Sequence, residues 1–189
     1  MAVTMYCLRE EIGFTISGGI CQQILDWKQA LDEAVFSAQV TTGSFRGRCP
    51  VDDDLRAIML AAKGKGRIMP YYGVGGGSGA YTYTLRWTSD KVIVQVENEI
   101  VGESFEIVSD ARDMDSRPMA YEEPRVIFRI NGKELKNLRQ WRYWYENQAN
   151  TSRYLYKFGQ VAMGRLGYTV KVEDTKTSNI IDVTAYEDW

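Results

Sequence analysis

Residues 81–97 read YTYTLRWTSDKVIVQVE, and this stretch decides the fold class. Tyrosine, threonine and valine recur at every second position on both sides of the polar turn at 88–90. Period-two runs of aromatic and β-branched residues predict two antiparallel strands that a short turn connects. A further strand over 103–108 extends the pair into a three-stranded meander.

A second stretch of the same kind lies near the C-terminus, where residues 154–184 read YLYKFGQVAMGRLGYTVKVEDTKTSNIIDVT. Tyr81 and Tyr83 align with Tyr154 and Tyr156, and a Val-Glu pair ends the second strand in both stretches. We interpret the two meanders as an internal repeat. The alternative is that two short alternating patterns match by chance.

Three helices are predicted, over 19–39, 50–63 and 134–147, because apolar residues recur there at steps of three and four. Short turns between most successive strands favour antiparallel pairing. The sequence therefore predicts an α+β fold, in which antiparallel sheets built from the two meanders carry three main helices packed on them.

The length of 189 residues is that of a single domain, 1–189. The stretch 109–124 is polar, carries two prolines and shows no clear period. We predict an irregular loop there, and a two-lobed organisation with lobes 1–110 and 125–189 is the alternative arrangement of the domain.

Composition excludes several kinds of chemistry. The chain has no histidine, which excludes Ser-His-Asp triads, Cys-His dyads and histidine-ligated metals. With 23 Lys+Arg against 25 Asp+Glu, the chain has a net charge of −2. This charge does not favour electrostatic binding of nucleic acid by the protein as a whole. The chain carries no recognisable catalytic motif, so we expect a protein without enzymatic activity.

The cysteines and the N-terminal sequence indicate the cellular compartment of the protein. Cys7, Cys21 and Cys49 are widely spaced and form no CxxC pair. The first residues, MAVTMYCLREEIGF, do not combine a basic region with a long apolar one, as a secretory signal does. We therefore expect a cytoplasmic protein that does not bind membranes.

The predicted third helix carries one candidate site, and its residues 138–145 read LRQWRYWY. Interleaved tryptophan, tyrosine and arginine are typical of protein interfaces. Alternatives are a core helix whose aromatic residues pack on the sheet, and stacking on unpaired bases. The candidate interface residues are Arg139, Trp141, Arg142, Trp144 and Tyr145, together with Tyr186 and Trp189 at the C-terminal end.

A glycine-rich stretch, 73–80, reads GVGGGSGA. A phosphate-binding loop of the dinucleotide type needs a helix after it, whereas a strand is predicted at 81–87. A mobile loop that becomes ordered on a partner is therefore favoured over a phosphate site, and a flexible hairpin connection or a bulge-rich edge is the alternative. The candidate ligand-binding residues of the loop are Gly75, Gly76, Gly77, Ser78 and Gly79.

Asp110, Asp113 and Asp115 are the remaining candidates for chemistry, since clustered carboxylates can bind Mg²⁺ or Ca²⁺. Their spacing does not match an EF-hand loop. We predict no metal ion and no cofactor, and a histidine-free, metal-dependent enzyme is the second alternative function.

The functional prediction is a non-catalytic cytoplasmic module that binds another protein, such as an inhibitor or an immunity-type protein that masks its partner. The first alternative is a binder of single-stranded nucleic acid or nucleotides that uses the aromatic–basic helix and the glycine-rich loop.

Overall fold

The computed structural model describes residues 3–39, 81–88, 90–98, 102–114, 124–143, 153–160 and 168–186. These residues form nine strands and two helices. In chain order the elements are β1 (Val3–Cys7), β2 (Glu11–Ser17), α1 (Gly18–Gln39), β3 (Tyr81–Trp87), β4 (Lys91–Asn98), β5 (Glu103–Met114), β6 (Arg125–Asn131), α2 (Gly132–Tyr143), β7 (Tyr154–Gln160), β8 (Tyr168–Asp174) and β9 (Asn179–Asp182).

The strands follow one continuous order, β6-β2-β1-β5-β4-β3-β7-β8-β9. It consists of two sheets that share the long strand β5. Residues 103–110 of β5 pair with β4, and residues 111–114 pair with β1. All the described pairs are antiparallel except β1 with β5. Residues 109–114, which we predicted to be irregular, therefore continue a strand.

The two sheets fold over and face each other across one core. Phe14 of β2 lies 4.7 Å from Tyr156 of β7, and Phe128 of β6 stacks 4.4 Å from Phe158, measured between ring centroids. These pairs join strands that are far apart in the strand order. Each sheet therefore covers the inner face of the other, and the buried side chains form one apolar cluster.

The two helices lie at opposite ends of this core. Helix α1 begins directly after Ser17, and α2 begins directly after Asn131; the antiparallel register of β2 and β6 places these residues at opposite ends of the strands. Trp27 of α1 stacks on Phe105, whereas Trp141 of α2 packs on Tyr154. Each helix thus closes one open end of the folded sheet.

The prediction of three main helices packed on the sheets is wrong. The described chain contains two helices and nine strands and is mostly sheet. The physical reason is that the sheet buries its own inner face, so the two described helices pack at the ends of the core. The predicted helix over 50–63 lies outside the described residues.

The pairing pattern divides the described chain into two corresponding units. The first unit is β2, α1 and β3–β5; the second is β6, α2 and β7–β9. The two units meet where β2 pairs with β6 and where β3 pairs with β7. At both places corresponding residues lie opposite each other: Phe14 pairs with Phe128, and Thr84 pairs with Lys157. The predicted meanders are present in both units, and a common origin of the repeat stays a prediction.

The register within the two meanders also corresponds. Tyr83 pairs with Val96 in the first unit, as Tyr156 pairs with Val172 in the second. Both helices begin at a glycine with positive φ, Gly18 at 63° and Gly132 at 47°. A positive φ is readily adopted by glycine, which explains glycine at both strand-to-helix junctions.

Candidate functional site

Two predicted interface residues of the aromatic–basic helix, α2, contact the sheet. The Trp141 ring lies 5.9 Å from that of Tyr154, and the Arg142 guanidinium lies 4.2 Å above the Tyr154 ring. Arg142 also donates a hydrogen bond to the buried Tyr156 hydroxyl. Both Trp141 and Arg142 are half-buried. These two predicted interface residues therefore attach α2 to the sheet.

The first unit repeats this arrangement with a lysine. Trp27 lies 5.9 Å from Tyr81, and the Lys28 ammonium lies 4.3 Å above the Tyr81 ring. Lys28 Nζ also donates to the Tyr83 hydroxyl at 3.2 Å. A tryptophan–cation pair on a Tyr-X-Tyr strand thus holds a helix at each end of the core, through ring packing and cation–π attraction.

Burial shifts the pKa of side chains at both ends of the core, and it raises the pKa of Tyr83 as well as that of its counterpart Tyr156. Burial lowers the pKa of Lys28, although the nearby Asp32 carboxylate opposes this shift. Burial also raises the pKa of Asp32, which accepts a 2.7 Å hydrogen bond from Tyr81. At the other end, burial raises the pKa of Tyr156 to about 12, against the opposing effect of Arg142. Lys28 Nζ, the Asp32 carboxylate and Arg142 Nη2 have internal hydrogen-bond partners, which is typical of structural contacts, whereas the buried Arg142 Nε has none among the described residues.

An open groove of about 630 Å³ runs between the β1–β2 turn and the outer face of α2. Its walls come from both elements. The lining residues are Arg9, Glu10, Glu11, Asn131, Gly132, Leu135, Lys136 and Arg139.

Three cations and two carboxylates line this groove, but the carboxylates are not equivalent. Glu11 is buried and accepts a 2.6 Å hydrogen bond from Tyr6, with Arg129 Nε 3.9 Å away. Its charge is thus engaged inside the protein, whereas Glu10 is exposed. Arg139 is exposed and donates to the Leu8 carbonyl at 3.2 Å, which ties α2 to the turn.

The corresponding face of α1 is uncharged at the matching positions. Where α2 carries Lys136 and Arg139, α1 carries Gln22 and Leu25 at the same distance from the helix start. Gln22 donates to Asp26 along the helix at 2.7 Å, and Leu25 is 38% exposed. Since α1 packs on its strands without these cations, the cations of α2 are not required for helix packing.

The other predicted site residues are not brought to this groove. Tyr186 is 52% exposed and donates to Asp182 at 2.8 Å. The register of β8 and β9 places it beyond the Tyr168 end of β8, whereas α2 contacts the end where Tyr154 lies. The remaining candidates lie outside the described residues: Trp144, Tyr145, Trp189, Gly75, Gly76, Gly77, Ser78 and Gly79.

The acidic stretch enters the sheet. Asp110 pairs with Lys91 across β5 and β4, and Asp113 pairs with Met5 across β5 and β1. Asp115 is outside the described residues. In the part of the chain that the structure describes, no three or more cysteine, aspartate or glutamate side chains come together in a group able to hold a metal ion.

Comparisons with protein families, with curated proteins and with solved structures find no significant match to this chain. Among the described helices, neither is long and apolar enough to cross a membrane. The candidate site therefore stands on its own geometry.

Sequence reasoning missed Arg9 and Lys136 as members of a site, because the turn and the helix are far apart in the chain. It also missed the correspondence between Trp27-Lys28 and Trp141-Arg142. A signal for the latter is present: these dipeptides follow Phe14 and Phe128, respectively, at one constant spacing.

Proposed function

We propose that the chain is a non-catalytic cytoplasmic module that binds another protein in the groove between the β1–β2 turn and α2. An inhibitor or immunity-type protein that masks its partner is one such module. The observation that carries the proposal is the concentration of exposed cations on α2, at positions where the matching face of α1 has Gln22 and Leu25.

Two features support binding at this face. The groove is open and is lined by side chains from two elements, so a partner segment would contact both at once. The Arg139 hydrogen bond to the Leu8 carbonyl holds the turn against the helix. A wall fixed before binding lowers the ordering cost of association.

The test compares two double variants of the full chain. Lys136→Gln with Arg139→Leu gives α2 the residues of α1, whereas Gln22→Lys with Leu25→Arg gives α1 the residues of α2. Gln22, Leu25 and Lys136 are exposed, so their replacement should change the free energy of unfolding by no more than about 0.5 kcal/mol per site. Arg139→Leu also removes the hydrogen bond to the Leu8 carbonyl and should cost about 1 kcal/mol, which leaves the protein folded. The matched control therefore separates groove binding from a general effect of charge.

Affinity purification from the source cells, followed by titration of the purified partner, gives the outcome. We expect a stoichiometric protein partner that binds wild type and the α1 variant equally and binds the α2 variant about tenfold more weakly. Equal binding to all three proteins would contradict the proposal, as would recovery of a nucleotide or nucleic acid in place of a protein.

A further inference from the structure

We infer that the segment held in the groove is acidic, so that the partner protein presents aspartate or glutamate side chains to Arg9, Lys136 and Arg139. This inference rests on the proposed function, because it names the chemistry of the partner at the same groove. All three of these side chains are exposed to solvent.

The charge available to a ligand is positive, although the whole chain carries −2. Glu11 is occupied by the Tyr6 hydroxyl and lies close to Arg129, which leaves Glu10 as the exposed carboxylate of the lining. Among the described residues, neither Arg9 nor Lys136 forms an ion pair. A ligand carboxylate can therefore approach these two cations without breaking an ion pair within the described part of the chain.

The positions of the cations suit a row of carboxylates. Lys136 and Arg139 are three residues apart on α2, so their side chains project from one face of the helix. Arg9 approaches from the β1–β2 turn on the other wall of the groove. Guanidinium groups bind carboxylates through two parallel hydrogen bonds, which gives Arg9 a directional contact with the ligand.

An acidic protein segment fits this lining better than a nucleic acid. The ring of Trp141 in α2 packs on Tyr154 and is therefore not free to stack on a base. Glu10 lies in the lining and would repel a continuous row of phosphates. A polypeptide can present a polar or basic residue to Glu10 and carboxylates to the cations.

The experiment uses as its probe a short poly-glutamate peptide with one central lysine, which can lie opposite Glu10. A poly-lysine peptide of equal length and an oligothymidylate of matched net charge are the comparison ligands. Binding to the full chain is measured by fluorescence anisotropy at low and at physiological salt. We expect the poly-glutamate peptide to bind, to weaken as salt screens the ion pairs, and to lose about tenfold in affinity with Lys136→Gln and Arg139→Leu. The α1 variant should match wild type, and poly-lysine should not bind.

Tighter binding of oligothymidylate than of poly-glutamate would overturn the inference, and so would poly-glutamate binding that ignores the α2 substitutions. Failure of this inference is distinguishable from failure of the proposed function. If the purified partner depends on Lys136 and Arg139 but poly-glutamate neither binds nor competes, then the groove binds a protein through other chemistry.

Discussion

The two units share the same helix–strand contacts but differ in the features that each adds to them. Each places a tryptophan–cation pair of a helix on a Tyr-X-Tyr strand, with Lys28 in the first unit and Arg142 in the second. The first unit gains an additional strand, β1, beside β2. The second unit gains a buried ion pair between Arg153 and Asp174.

The comparison separates what the fold requires from what one unit adds. Features found in both units belong to the fold: the paired rings are explained by packing, and the glycine at the start of each helix is explained by its positive φ. Features found in one unit need a local reason. The cations of the groove, the ion pair at Asp174 and the strand β1 each occur in one unit. Substitutions that copy the corresponding residues of the other unit can therefore test the cations and the ion pair.

The largest expected effect comes from the ion pair. The buried Asp174 carboxylate accepts hydrogen bonds from Arg153 Nε at 2.8 Å and Nη2 at 2.6 Å, and the first unit has Asn98 at the corresponding place. Asp174→Asn leaves the Arg153 charge largely buried without its counter-charge. It should lower the free energy of unfolding by about 3–5 kcal/mol in urea titrations.

The double variant Arg153→Ala with Asp174→Asn supplies the control, because it copies Ala80 and Asn98 from the first unit. It should be more stable than Asp174→Asn alone, since no unpaired charge remains. A double variant as unstable as the single one would show that the ion pair is not what distinguishes the units.

The same pair gives a pH dependence with a defined sign. The hydrogen bonds from Arg153 hold the pKa of Asp174 well below its ordinary value of 3.8, so the folded state favours the ionised carboxylate. This contribution is complete above about pH 4–5 and is lost as the pH falls below the ordinary pKa. The stability difference between wild type and Asp174→Asn should therefore shrink as the pH falls from 5 to 2.

A smaller effect is expected at Gly13, where β1 makes the units differ. Gly13 pairs with Tyr6, and a β-carbon at Gly13 would overlap the Tyr6 ring, which its hydrogen bond to Glu11 holds in place. The corresponding residue of β6 is Ile127. Among the described strands, β6 pairs with β2 alone, so no counterpart of Tyr6 in a neighbouring strand faces Ile127.

Gly13→Ala should cost about 1–3 kcal/mol in the free energy of unfolding, because the ring must move. The cost should fall when Tyr6→Val is present in both the reference and the Gly13→Ala protein, which a double-mutant cycle measures. An equal cost in both backgrounds would show that the close approach of Tyr6 is not the reason for glycine.

The sequence predicted local structure better than assembly. The alternation at 81–97 predicted the correct strands, and the steps of three and four between Ile20, Ile24, Trp27 and Leu31 predicted the correct first helix. Both patterns depend on near neighbours in the chain. The folding of one sheet onto the other depends on Phe14 meeting Tyr156, a long-range contact that no local pattern encodes. For the same reason the groove between Arg9 and Lys136 could not be predicted.

The smallest expected effect distinguishes the two helix attachments. Arg142→Met should lower the free energy of unfolding by about 2 kcal/mol, because it removes a charged hydrogen bond to the buried Tyr156 and the cation–π contact with Tyr154. Lys28→Met should cost about 1 kcal/mol, because methionine also relieves the unfavourable burial that lowers the pKa of Lys28. Urea unfolding of the two single variants measures the difference. If Lys28→Met were the more damaging change, the contact with Tyr81 and Tyr83 would outweigh the burial cost of the lysine, and the first unit would depend more on its cation than the second.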